Sequence, residues 1–226
     1  MQNRRLVFCL TAAVFVIALS GVASARSRYV AVPALHGKRM PLEIRFVQYT
    51  GGSTGKIVVD VRNTGKHAAT FDAAGLYFVP QGDPERAPQR LGAAGPFEQE
   101  QQGSWERREK ARIKPGQTVR LKLQVFCLDS HRSSPGTSQG FSVARKRLPR
   151  DLRKTIHSGA QGILKGAADV PSANSEIQSH VWKTRNKKWI KLQGERKSEK
   201  SSGGTSQRYR PRRAPDRIRL QQSVQP

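Results

Sequence analysis

Between residues 40 and 128, apolar and polar side chains alternate in short runs. Leu42, Ile44 and Phe46 are interleaved with Glu43, Arg45 and Val47, and Ile57, Val59 and Val61 with Val58, Asp60 and Arg62. The clearest run is the last, in which Val119, Leu121, Leu123 and Val125 alternate with Arg120, Lys122 and Gln124. A period of two sends successive side chains to opposite faces, so each run predicts a strand with one face in a core. Gly51 to Gly55, Asn63-Thr64-Gly65-Lys66 and Pro115-Gly116 punctuate the runs as turns. GLYFVP at 75–80 reads as a short apolar strand ended by Pro80, because proline has no amide proton for a ladder. The stretch 81–104, rich in Gly, Pro, Gln and Glu, reads as a long loop. Several short strands without helical periodicity between them predict a mainly β fold, an antiparallel sandwich over residues 38–130.

Beyond Leu128 the period changes. Asp151 after Pro149 suits a helix start, and Leu152, Ile156, Ala160, Ile163 and Leu164 follow at helical spacing. A second helix is capped in this reading by Asn174 or Ser175 and carries Ile177, Val181 and Trp182. Residues 145–192 are too few to enclose a core of their own. They form a small C-terminal helical addition packed on or beside the sandwich.

The first 25 residues fit neither pattern. Arg4 and Arg5 precede an apolar run from Leu6 to Ala18, and Val22-Ala23-Ser24-Ala25 places small residues at a cleavage position before Arg26. That arrangement reads as a secretory signal peptide, with a retained N-terminal anchor as the alternative, and it predicts a periplasmic or secreted chain with no transmembrane segment after cleavage. Cleavage removes Cys9 and leaves Cys127 as the sole cysteine, so no internal disulfide can form.

Charge separates the body from its end. Residues 26–144 carry 18 basic and 10 acidic residues, whereas residues 182–226 carry 14 and 3, a net +11 within a chain total of +25. From residue 194 on, Ser, Gly, Arg, Lys, Gln and Pro dominate, and 194–226 reads as a disordered basic tail. In an exported chain such a tail meets anionic envelope polymers and lipid head groups first. The expected partner is therefore an envelope protein or anionic polymer, with peripheral contact to an anionic membrane surface through the tail. Nucleic acid is a poorer fit in that compartment, although Arg and Lys with Trp182, Trp189 and Tyr209 offer phosphate contacts and stacking.

One stretch holds candidate chemistry. Phe126-Cys127-Leu128-Asp129-Ser130-His131 sets a thiol, a carboxylate and an imidazole within five positions. A cysteine nucleophile needs a base, and the base an orienting partner, so Cys127, His131 and Asp129 are the candidates for a thiol enzyme. The alternation instead makes Cys127 the next inward residue after Val125, a small buried hydrophobe, with Asp129 and His131 stabilising the turn before Pro135. His36, His67, His131, His157 and His180 show no ligand spacing, and no phosphate loop, nucleophile elbow or carboxylate pair is present, so no metal and no cofactor are expected.

Two resemblances add to this. VDVRNTG at 59–65 and KPGQTVRLKLQV at 114–125 resemble the paired signatures of bacterial extracytoplasmic immunoglobulin-like modules. The resemblance implies an immunoglobulin-like sandwich and says little of function. FCLD at 126–129 and IQSHVW at 177–182 are similar to motifs of bacterial surface thioester domains, in which a cysteine thiol is bonded to a glutamine side chain. Ile177 and His180 depart from that pattern, which has Thr and Ala there. If the resemblance holds, Cys127 bonds covalently to a surface amine through its thioester, with Gln178 and Gln193 both open as the internal partner. The sequence as a whole suggests an exported, non-enzymatic binding or structural module, with a thioester adhesin and a thiol enzyme as alternatives.

Overall fold

The computed structural model describes residues 27–51, 55–164 and 170–195. Residues 1–25, read above as a signal peptide, and all of the basic tail beyond Glu195 lie outside the described residues. Ten strands and two helices form among the described residues: β1 Val30–Ala31, β2 Leu42–Tyr49, β3 Lys56–Asn63, β4 Ala69–Asp72, β5 Tyr77–Pro80, β6 Leu91–Gln101, β7 Ser104–Arg108, β8 Lys110–Ile113, β9 Thr118–Cys127, β10 Phe141–Val143, α1 Arg150–Leu164 and α2 Val170–Lys188. None of the described helices is long and apolar enough to cross a membrane.

All strand pairings are antiparallel. An eight-stranded sheet runs β1-β2-β3-β9-β6-β5-β10 with β7 hydrogen-bonded to β6, and β4 and β8 form a second, two-stranded sheet. The inward residues of the large sheet, Ile44, Val59, Leu121, Leu123 and Val125, share one core with Ala69 and Phe71 of β4 and with Ala111 and Ile113 of β8. Phe71 and Phe97 meet across it with ring centroids 5.7 Å apart. At one end, Phe141 of β10 packs on Phe46 and Tyr49 of β2, each 5.6 Å away, so the large sheet curls round. The alternating runs thus become β2, β3 and β9, as their period predicts.

The stretch 81–104 departs from the loop expected of it. Leu91–Gln101 is an eleven-residue strand at the heart of the sheet, paired with β9 on one side and with β5 and β7 on the other. Its small residues are packing positions. A Cβ added to Gly92 would stand 2.9 Å from Leu128, 3.0 Å from Leu148 and 3.1 Å from Ile156, because α1 lies directly on this strand. The register shifts between Ala93 and Phe97, and this bulge contains Gly95 at φ +117° and Pro96, whose missing amide proton is harmless where the ladder is interrupted.

The helices cover the outer face of β5, β6 and β9. Leu152, Ile156 and Ala160 of α1 and Ile177 and Val181 of α2 bury against Tyr77, Ala94, Phe126 and Leu128. The second helix begins at Val170, earlier than a cap at Asn174 or Ser175 would place it. Ahead of α1, Arg147 donates to the backbone oxygens of Pro33, Ala74 and Asp72 at 3.0, 2.6 and 3.0 Å. Burial pushes its guanidinium down to about 10, against the pull of Asp72.

Candidate functional site

Strand β9 ends where the candidate chemistry begins. Its alternation carries Cys127 into the core, where the residue is fully buried. Burial first, and the nearby Asp129 charge second, push the thiol up to about 12, so at neutral pH it is protonated. An unfolded thiol titrates near 8.5. The folded state therefore favours the thiol form: that contribution to stability is complete below about pH 8.5 and is lost as pH rises towards 12. Tyr49 shares this part of the core and is itself raised, by burial and then by the thiolate that Cys127 would become.

The backbone of Cys127 has a single-residue partner. The Gln178 side chain, from the buried face of α2, accepts from the Cys127 amide at 2.8 Å and donates to the Cys127 carbonyl at 2.6 Å. Gln178 continues the ladder that β9 loses at its end, using a carboxamide in place of a neighbouring strand. Of the two glutamines the resemblance leaves open, Gln178 is the one beside Cys127, and it contacts the main chain. Gln193 is engaged elsewhere: its Oε1 accepts from the Arg145 amide at 2.9 Å and its own amide donates to the Tyr77 hydroxyl at 3.1 Å.

Asp129 is the hub of a buried ionic cluster. Its Oδ2 accepts from the Arg90 amide and from Arg90 Nε, both at 2.8 Å. Its Oδ1 accepts from Arg90 Nη2 at 2.6 Å and from Arg185 Nη1 at 2.5 Å. The side chains of Asp129, Arg90 and Arg185 all have zero exposure. Glu195 lies 3.6 Å from Arg185 Nη2 and brings a second carboxylate to the cluster. Arg90 Nη1 also donates to the Gln193 carbonyl at 3.2 Å, and Arg132 Nη2 donates to that of Gly194 at 3.3 Å. The cluster therefore fastens α2 and the segment 190–195 to the ends of β6 and β9. Sequence reasoning did not find Arg90 or Arg185. A signal for Arg185 was available, since it stands four residues after Val181 on the apolar stripe of α2, where a charge needs a buried partner.

His131, half-buried, packs its ring 5.6 Å from Trp189, which also lies against the Arg185 guanidinium at 4.9 Å. The sequence neighbours Cys127, Asp129 and His131 thus have separate engagements: the core, two arginines and an indole. Among the described residues no three His, Cys, Asp or Glu side chains gather where they would hold a metal ion.

Away from this hub, an open groove of about 810 Å³ crosses the uncovered sheet face where the β6–β7 hairpin diverges from β9. At its floor Asp60 accepts from Arg45 at 2.7 Å and from Arg120 at 2.8 Å. Burial opposes ionisation of Asp60, but its hydrogen bonds to the two guanidiniums and their charge win and hold its carboxyl below the usual range. Lys56 pairs with Glu98, Arg62 with Glu43, and the Lys122 ammonium sits 3.6 Å over the Trp105 ring. The charges of this face are largely matched to one another.

No protein-family model matches the chain, and neither a curated protein nor a solved structure is significantly similar to it.

Proposed function

We propose that this chain is an exported, non-enzymatic module of the bacterial cell envelope that binds an anionic envelope polymer. The observation that carries the reading is the placement of charge. Residues 145–226 hold 21 basic and 6 acidic residues, while the part of the outer sheet face that the helices leave uncovered pairs its charges internally. The signal-like segment supports export, and so does the resemblance of residues 59–65 and 114–125 to extracytoplasmic immunoglobulin-like modules. In this role the β body is a rigid support, and the basic end supplies long-range attraction that salt screens.

The test removes charge without touching the body. Truncation after Glu195 deletes 9 basic and 2 acidic residues and keeps Gln193 and Gly194, which are bonded to Arg90 and Arg132. The truncated mature protein is expected to elute from a phosphate-bearing matrix at clearly lower salt than the parent. Elution at the same salt would remove the tail from the account.

A second reading, the thioester adhesin, draws on the nearness of Gln178 to Cys127, whose main chain its carboxamide bonds. Thioester formation joins the Cys127 sulfur to a glutamine carbonyl carbon and expels the amide nitrogen as ammonia, so the intact mass falls by one ammonia. The non-enzymatic reading expects the unshifted mass and a thiol that alkylates only after denaturation, because Cys127 is buried and protonated. Rapid alkylation of the native protein would support the thiol enzyme instead.

A further inference from the structure

We infer that the groove between α1 and α2 is the docking site for a linear, phosphate-bearing polyanion. The inference rests on the anionic-polymer reading and gives it a place on the folded body. The groove has a volume of about 400 Å³. One bank is Lys154, Thr155 and Ser158 of α1, and the other is His180, Lys183 and Thr184 of α2. Arg150 extends the first bank by one helical turn and Lys187 extends the second, and both are exposed. The exposed acids on the described parts of these helices are Asp151 and Glu176, so cations predominate along the groove.

The groove follows from how the helices meet. A Cβ on Gly159 would collide with the Ile177 side chain, so the missing side chain lets α2 approach closely. Thr155 and Thr184 join hydroxyl to hydroxyl at 3.2 Å across the seam. Ile177 fills the floor with apolar carbon, while hydroxyls and amines line the banks. Such a trough offers mobile positive charges along both rims, with the Thr155 and Thr184 hydroxyls already spent on the Asp151 carbonyl and on each other. A chain of phosphodiesters or phosphates needs cations spaced along a line, since its oxygens repeat, and no single deep pocket. Firm seating of this face in a bilayer would call for an apolar wedge beside the charge. The exposed large hydrophobic residues among the described ones are Val30 of β1 and Val47 of β2, neither on the helices. Glu195, at the start of the basic tail, lies 3.6 Å from Arg185 of α2.

The experiment measures inorganic polyphosphate binding to the full mature chain at several salt concentrations. Lys154→Glu/Lys183→Glu reverses both banks, and Lys66→Glu/Lys110→Glu makes the same change of net charge at exposed positions beyond β3 and on β8. Unchanged melting curves establish that both pairs fold. The groove pair is expected to weaken binding about tenfold or more and to lower the slope of log affinity against log salt by about two. The control pair is expected to change affinity less than about twofold, since remote exposed charges are screened. Equal losses in the two pairs would overturn the inference, since attraction would then be a property of total charge. So would loss of binding to anionic phospholipid vesicles with polyphosphate affinity unchanged. If the groove pair binds as the parent does while truncation after Glu195 still weakens retention, the groove is wrong and the proposed function stands. Failure of the parent itself to bind polyphosphate or vesicles would remove both.

Discussion

Replacing Asp129 with asparagine is expected to destabilise the protein by roughly 3–5 kcal/mol, a fall in melting temperature on the order of 10 °C for a body of this size. The cause lies in what stays behind. Arg90 and Arg185 are fully buried, and Asp129 supplies the counter-charge between them through three guanidinium contacts of 2.8 Å or less, besides accepting from the Arg90 amide. Asparagine keeps the shape but leaves the guanidiniums short of a counter-charge in a poorly solvated site, and Glu195, at 3.6 Å from Arg185, compensates only in part. The matched comparison is Asp60→Asn. Asp60 also serves two arginines, but their side chains are 31% and 46% exposed, and water takes over when the charge is lost. That change should cost about 1 kcal/mol or less. Thermal melts of the two variants would separate the cases, and a drop of equal size in both would mean that burial of the Asp129 cluster contributes nothing special. Acid also weakens the Asp60 site: its lowered pKa makes its contribution complete above the ordinary carboxylate range and lost as pH falls through the folded value.

The contrast between those two aspartates also explains what was legible in the chain. Strands β2 and β9 have one face in the core and one towards water over most of their length, and that asymmetry writes itself into the sequence as alternation. The same rule correctly sends Cys127 inward. β6 has no such asymmetry. Its first seven residues are buried on both faces, one in the core and one beneath α1, so no alternation arises. Close approach of the helix selects Gly and Ala there, and the bulge selects Gly95-Pro96. These residues also make turns, so a central strand reads as a loop.

The candidate site was visible as a list of groups and invisible as an arrangement. Cys127, Asp129 and His131 are adjacent in sequence, but each takes its partner from far away: Gln178 for the Cys127 backbone, Arg90 and Arg185 for Asp129, Trp189 for His131. Separations of 39 and 51 residues for the first two partners, Arg90 and Gln178, are set by tertiary packing, which local spacing does not encode. The helical stripe Ile177, Val181 and Trp182 was readable, yet its polar members Gln178 and Arg185 carry the contacts that dock α2 onto β9.

Gln178→Leu tests that docking directly, and a loss of about 2–6 kcal/mol is expected from two buried groups left unpaired at about 1–3 kcal/mol each. Leucine fills much of the volume and suits the apolar surroundings, so the effect isolates the hydrogen bonds from the packing. The bonds run to the amide and carbonyl of Cys127, both at the end of β9 where the β6 partner is Leu91. With both unsatisfied, the last turn of the strand and the helix above it should open more often than the rest of the sheet. Hydrogen exchange at residues 125–128 is then expected to accelerate, while β2 and β3 keep their protection up to the lowered global stability. Alkylation supplies an independent readout on the same opening. In the parent the Cys127 thiol is closed off, and in Gln178→Leu it should react in native buffer at a rate that follows the local opening. A variant with parent-like stability and a silent thiol would show that the carboxamide bridge is incidental. Asn at the same position should not rescue, because its shorter side chain cannot span both backbone groups from the α2 axis.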